Sequence, residues 1–194
     1  MTVATDEIYE KYLQKAITEI NALGDEVAQA GAGTRVPVVG SGHPLADVFL
    51  LKYAPQAAEL QEGVAFYGRA GNALLKSLQR LRIDPMAIYG TNSLKFADGD
   101  EEESRPFLLR ELHIVQPKLV VVMGEPALAF LNSVKFPLAR ELEPVEGELQ
   151  KLTPTIDAVI TPDIDESLDD QPSKTRFWNA FKQLGDWWAS LPPY

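Results

Sequence analysis

Short apolar runs alternate along this chain with stretches in which apolar residues return every three or four positions, and that alternation predicts strands separated by helices. Four runs qualify as strands: 47–53 around Val48, Phe49, Leu50 and Leu51, then 88–94, 118–123 and 158–161. All are short, and those at 47–53 and 118–123 are densely apolar, the pattern of strands covered on both faces in a parallel sheet. Helical spacing fills the intervals. Ile8, Tyr12, Ala16, Ile20 and Leu23 mark an opening helix over about 6–27, and Leu74, Leu75, Leu78 and Leu81 form the expected inner face of 68–82, which the Asp84-Pro85 turn ends. Further helices are expected at 101–115, after Gly124-Glu-Pro-Ala127, and at 174–191, the last burying Phe177, Trp178, Phe181 and Leu184, with Trp187 and Trp188 near its end.

This order predicts an α/β fold, three-layer α/β/α around a central, mainly parallel four-stranded sheet. The economical division is one domain, 1–194, with an N-terminal helical segment, 5–29, packed on it. Open sheets of this kind bind ligands beyond the carboxyl ends of their strands, which directs the search to residues just after Tyr53, Leu94, Met123 and Ile160.

Composition narrows the chemistry. No apolar run approaches the roughly 20 residues that span a bilayer, and a start carrying Asp6, Glu7 and Glu10 lacks the pattern of a secretory signal, so no membrane partner and a cytoplasmic location are expected. Cysteine is absent, which excludes disulfides, thiolate zinc sites and a cysteine-ligated iron–sulfur cluster. Two widely separated histidines, His43 and His113, give no metal-ligand spacing; neither a metal nor a cofactor is expected. The net charge of −10 counts against DNA as a partner, because duplex binding draws much of its affinity from cations that displace counterions. Acids cluster at 98–103, 141–148 and 163–170, either as solvated loops or as a screen that keeps phosphate from a pocket mouth.

The block 52–71 carries most of the functional signal. Ala54, Pro55, Glu59, Gly63, Phe66 and Gly68 to Gly71 fall without a gap on the pattern G-E-A-P-G-x-x-E-D-x-x-G-x-P-F-x-G-R-A-G, and further matches follow at 89–95, 105–112 and 116–124. In these segments the chain resembles family 4 of the uracil-DNA glycosylase superfamily, from about Arg35 to Pro162. The resemblance implies a pocket for a flipped base: Phe66 to stack on it, Asn92 to pair with its amide edge, Ala54, Pro55 and Gln56 along its loop, and Gly68, Gly71 and Lys95 for close approach or phosphate contact.

The same resemblance exposes what has changed. The family's carboxylate before Ala-Pro is Tyr53, a poor base with a phenol pKa near 10. Lys52 and Gln56 replace its flanking glycines, and the family's His-Pro-Ser becomes Thr161-Pro162-Asp163. The two mid-chain cysteines of the family's iron–sulfur cluster correspond to Phe96 and Ser104, with Phe96 a candidate apolar filler. Glu59, Asp163, Thr161 and Tyr53 remain as weak catalytic candidates, Asp165 as a further acid to position water, and Glu59 reads more readily as a surface group or helix cap. The expectation is a glycosylase-like protein with lost or strongly reduced activity and a retained base-shaped pocket. The alternatives are an active divergent glycosylase without a cluster, and binding or hydrolysis of a nucleobase, nucleoside or nucleotide. A uracil-like base or nucleotide is thus the expected ligand, with DNA or an unidentified protein as further partners.

Overall fold

A computed structural model describes residues 2–192; of the expected span 1–194, residues 1, 193 and 194 lie outside the described ones. Its elements run α1 (Thr2–Ala30), β1 (Ser41–Gly42), β2 (Val48–Lys52), α2 (Ala57–Glu62), α3 (Arg69–Leu81), a 3-10 turn (Pro85–Ala87), β3 (Ile88–Asn92), α4 (Glu101–Val115), β4 (Leu119–Met123), α5 (Glu125–Ser133), β5 (Leu149–Lys151), β6 (Asp157–Thr161), α6 (Gln171–Phe181) and α7 (Gln183–Ala189). The sheet has six strands in the order β1-β3-β2-β4-β6-β5. Its four inner strands are the parallel ones read from the apolar runs. The expected count of four is corrected by β1 and β5, which pair antiparallel at the two edges. Both are two or three residues long and largely polar, so no hydrophobic pattern announces them.

Alternation along each strand divides the core. Phe49, Leu51, Val120, Val122 and Ile160 face the layer that includes α4 and α5, while Val48, Leu50, Val121 and Val159 face the layer of α3, α6 and α7. On the second side Leu74 and Leu78 are buried, but Leu75, expected inside, is exposed. The closing helix is two helices, broken at Lys182, so that Phe177 and Phe181 pack from one axis and Leu184 and Trp187 from the next. Those aromatics are core, and the Trp187 indole donates to Asp157 (Nε1–Oδ2 3.0 Å).

The opening helix α1 runs slightly longer than its apolar spacing suggested, and only its second half is covered. Ala16, Leu23 and Val27 are buried against the body, whereas Ile8 and Tyr12 are exposed. Its end is tied down by Arg35, whose guanidinium makes a two-pronged bond to Glu103 (2.8 and 2.5 Å), donates to the Ala30 carbonyl (3.0 Å) and lies 4.0 Å over the Phe96 ring. Phe96 has no exposed surface. Gly31 approaches so closely that a Cβ there would lie 3.0 Å from that ring. No helix among the described residues is long and apolar enough to cross a membrane.

Removing a buried phenylalanine costs about 3–5 kcal/mol through lost transfer energy and the cavity left behind. Phe96→Ala is therefore expected to lower unfolding free energy by about that amount in urea titration and to raise hydrogen exchange at the end of α1. A loss under about 1 kcal/mol would show that Arg35 and Glu103 hold the segment unaided.

Candidate functional site

The carboxyl end of β2 places a lysine where the apolar run should continue. Lys52 is fully buried, and its ammonium meets Glu59 at 2.6 Å, Asp165 at 2.8 Å and the Ala54 carbonyl at 3.4 Å. It also lies 5.6 Å from the centroid of the Phe66 ring. Burial of a lone ammonium is too costly to persist, so the two carboxylates are part of the same structural unit.

Glu59 is the hub of that unit. Besides Lys52, it accepts from the backbone N–H groups of Gln56 (2.7 Å) and Phe66 (2.6 Å) and from the Asn92 side-chain amide (3.3 Å). The surface reading of Glu59 is corrected: it is buried, and it is also the N3 residue that caps α2. Through this one carboxylate the structure joins the loop after β2, Phe66 and the end of β3.

Phe66 holds a left-handed backbone conformation (φ 61°), an uncommon one for a bulky side chain. Its N–H bond to Glu59 and its close neighbours fix it there. A Cβ on Gly71 would lie 1.8 Å from the Phe66 carbonyl oxygen, and one on Gly90 2.6 Å from the ring. Gly68 caps α3 with φ 99°. The geometry therefore brings Phe66 and Asn92 onto a shared carboxylate. With its Nδ2 committed to Glu59, buried Asn92 keeps a free acceptor, Oδ1, which has no hydrogen-bond partner among the described residues.

Other candidates lie elsewhere or are already engaged. Tyr53 turns toward α4 and donates to Glu101 (2.9 Å); burial first, then that carboxylate, raises the phenol's pKa, making it a still poorer base. Ala54 is half-buried and Pro55 buried, but the Gln56 side chain is exposed, so it does not crowd the site as expected. Thr161 is buried and donates to the Pro162 carbonyl (2.9 Å). Lys95 is a correction: it is not a phosphate contact, because it is buried on the opposite side of the sheet with Glu111 (2.6 Å), Thr91 (2.7 Å) and the Asn92 carbonyl (2.8 Å). His43 accepts from the Leu45 N–H (3.1 Å), and exposed His113 rests against Phe136.

The acids after β6 complete the setting. Asp163 accepts from the Asp165 N–H (2.7 Å), and desolvation raises the pKa of both side chains; Lys52 opposes the rise in each. Others in the acidic stretches serve as caps or ion-pair partners: Asp100 and Asp170 cap α4 and α6, Glu103 holds Arg35, and Asp169 pairs with Arg69. Sequence reading missed Lys52, Asp165 and Glu59 as one network. The available signal was a lysine ending an apolar strand, with a glutamate seven residues on.

A cysteine-held cluster does not fit this chain. The position of one ligand is filled by the Phe96 ring beneath Arg35, and at the other the Ser104 hydroxyl accepts from the Lys95 N–H (3.4 Å). No group of three or more His, Cys, Asp or Glu among the described residues is placed to hold a metal ion.

Comparison with known proteins matches the Uracil DNA glycosylase superfamily over residues 39–185. Similar curated proteins include type-4 uracil-DNA glycosylases of Sulfurisphaera tokodaii, 30% identical over 50% of this chain and 48% of the relative, and of Pyrobaculum aerophilum, 26% identical over 57% and 61%. A third, from Archaeoglobus fulgidus, is 28% identical over 48% of this chain and 51% of its own length. The matched segments thus span about half to three-fifths of those relatives. The chain belongs to the uracil DNA glycosylase superfamily.

Removing Lys52 leaves buried carboxylates without their counter-ion. Lys52→Met should cost about 3–5 kcal/mol in chemical denaturation at pH 7, and a neutral effect would disprove the hub. Asp163 has the opposite sign. A carboxyl whose folded pKa lies above its unfolded value weakens folding as pH rises through that window. Asp163→Asn should therefore raise Tm at pH 7, with the gain fading as pH falls toward 3.8, the ordinary aspartate value.

Proposed function

We propose that this protein is a uracil-DNA glycosylase-like member of the superfamily whose glycosylase activity is lost or strongly reduced. One observation carries the reading: the buried Lys52 ammonium lies beside the Phe66 ring and is bound to the same Glu59 that engages Asn92. A base stacked on Phe66 and paired with Asn92 would have to displace this network. The base-shaped pocket is then a filled one, with the aromatic and amide retained and the space between them given to an ion pair.

The electrostatics favour the same conclusion. Glycosidic cleavage leaves negative charge on the departing uracil, which needs donors aimed at it. Here Glu59, Asp163 and Asp165 gather around one ammonium that is already bound, and the Thr161 hydroxyl is committed to a carbonyl. Loss of an oxyanion donor costs about 10²–10³ in rate, and loss of a general base about 10²–10⁴. Together they put uracil release at least about 10⁴-fold below that of an enzyme with both groups.

A second reading, an active divergent glycosylase, is favoured by Asp163 alone. It is partly exposed after the last parallel strand, and its raised pKa makes it a better base than an ordinary aspartate. Uracil release from single-stranded and mismatched DNA separates the two. Background release by the wild type, with a gain in the Lys52→Gly/Tyr53→Glu/Thr161→His/Asp165→Asn variant, in which the acid left without its cation is neutralised, is expected. Wild-type release matching that of an intact type-4 enzyme, abolished by Asp163→Asn, would establish the second reading instead.

A further inference from the structure

Behind Phe66, toward the amino ends of the strands, lies a cavity of about 470 Å³ that shares Phe66, Gly68 and Gly71 with the expected base site but none of Lys52, Ala54, Pro55, Gln56 or Asn92. Leu50 and Gly90 form part of its wall, two residues before Lys52 and Asn92 on the same side of the sheet. The Phe66 ring therefore divides a charged compartment from an apolar one. The deep part is closed by Leu50 and Leu78, both buried, and the rim carries Tyr67 and Leu75, which are 53% and 51% exposed.

The wall chemistry is selective. None of its lining residues is charged, in a chain of which 24% is Asp, Glu, Lys or Arg. No cation is present to neutralise a phosphate or carboxylate, and no carboxylate to hold an amine. The polar groups are few: Ser41, whose hydroxyl donates to the Ala65 carbonyl (2.8 Å) and keeps lone pairs for a ligand donor, and the Asn72 amide and Tyr67 hydroxyl at the rim. An apolar depth with a sparse polar rim, of this size, is the usual constitution of a small-molecule site. Phe66 supplies an aromatic wall, which favours a planar ring over a flexible chain because ring faces pack over a large area at little entropic cost.

We infer that this cavity is a second binding site, separate from the base site, for an uncharged, ring-bearing small molecule with a single hydrogen-bond donor. Leu75 is then a rim contact. Its place on α3 follows the inner-face spacing, yet it remains uncovered until a ligand packs against it.

Indole, a neutral ring with one donor, is the probe. Calorimetric titration and thermal melting of the full chain should show saturable binding with a raised Tm, and indole-3-acetate, which adds only a charged arm, should bind at least about tenfold more weakly. Because Leu75 is exposed, Leu75→Trp and Leu75→Asp should both fold; the first fills the mouth and the second places a charge in it. Each should weaken indole at least about tenfold. Absence of saturable binding, equal binding of the charged analogue, or indole affinity unchanged in both Leu75 variants would overturn the assignment.

Discussion

The Lys52–Glu59 ion pair is the interaction on which this end of the molecule depends. A buried ammonium gains nothing by burial alone; desolvation costs several kcal/mol per ion and is offset only when geometry and additional hydrogen bonds are good. Here they are. Glu59 accepts from four donors, and Lys52 reaches two carboxylates and a carbonyl. Those bonds tie together the ends of β2 and β3, the start of α2, the Phe66 turn and the loop after β6. Pairs of this kind are seldom the most stable solution for a core, but they fix geometry, because each alternative arrangement strands a charge. Specification of the Phe66 turn is the role that the bonds of Glu59 support here.

A second buried pair stands on the other side of the sheet. Lys95 and Glu111 are joined by Thr91 and by Tyr89, whose hydroxyl donates to the same carboxylate (2.9 Å) and whose pKa burial pushes well above its ordinary value. The two pairs differ in surroundings. Every donor of Lys95 is used within one closed network, while the Lys52 network includes the partly exposed Asp165 and the neighbouring Asp163. The Lys52 network is thus the one open to solvent, and its acids Asp163 and Asp165 are the groups that titrate.

Legibility followed the range of the forces involved. Among the inner strands β2 and β4 were readable as dense apolar runs, whereas β3, Ile-Tyr-Gly-Thr-Asn, is mixed and is marked by its place between two helical patterns; α4 occupies the expected 101–115. Edge strands β1 and β5 carry no such pattern, as their pairing depends on a neighbour already in place. Leu75 and the exposed Ile8 and Tyr12 obeyed helical spacing, yet spacing says only which residues share a face, not whether anything covers it. At the candidate site, Phe66 and Asn92 were singled out by register within a motif, and both engage Glu59. Lys95 was misplaced because a lysine after a strand end reads the same whether it meets phosphate or a glutamate sixteen residues on. Lys52, Glu59 and Asp165 were each visible, but Lys52 and Asp165 are 113 positions apart, and only the sheet order joins them.

The matched glycines of the motif and the altered residues Tyr53 and Thr161 are not in conflict, because they obey different constraints. Gly71, Gly90 and the Phe66 turn are fixed by steric contact: a single Cβ at either glycine collides with Phe66, so the packing calls for glycine at both whatever the site does. Catalytic groups carry no such structural obligation. Once Tyr53 points to Glu101 and Thr161 bonds to its neighbour's carbonyl, the fold is satisfied without a base or a histidine. Lys52 ties the site to its present arrangement. Returning that position to glycine alone would leave Glu59 and Asp165 facing each other without a cation, so a route back to base binding must also neutralise or move an acid. The ion pair thus occupies the space between Phe66 and Asn92, and the glycines around it are accounted for by packing alone.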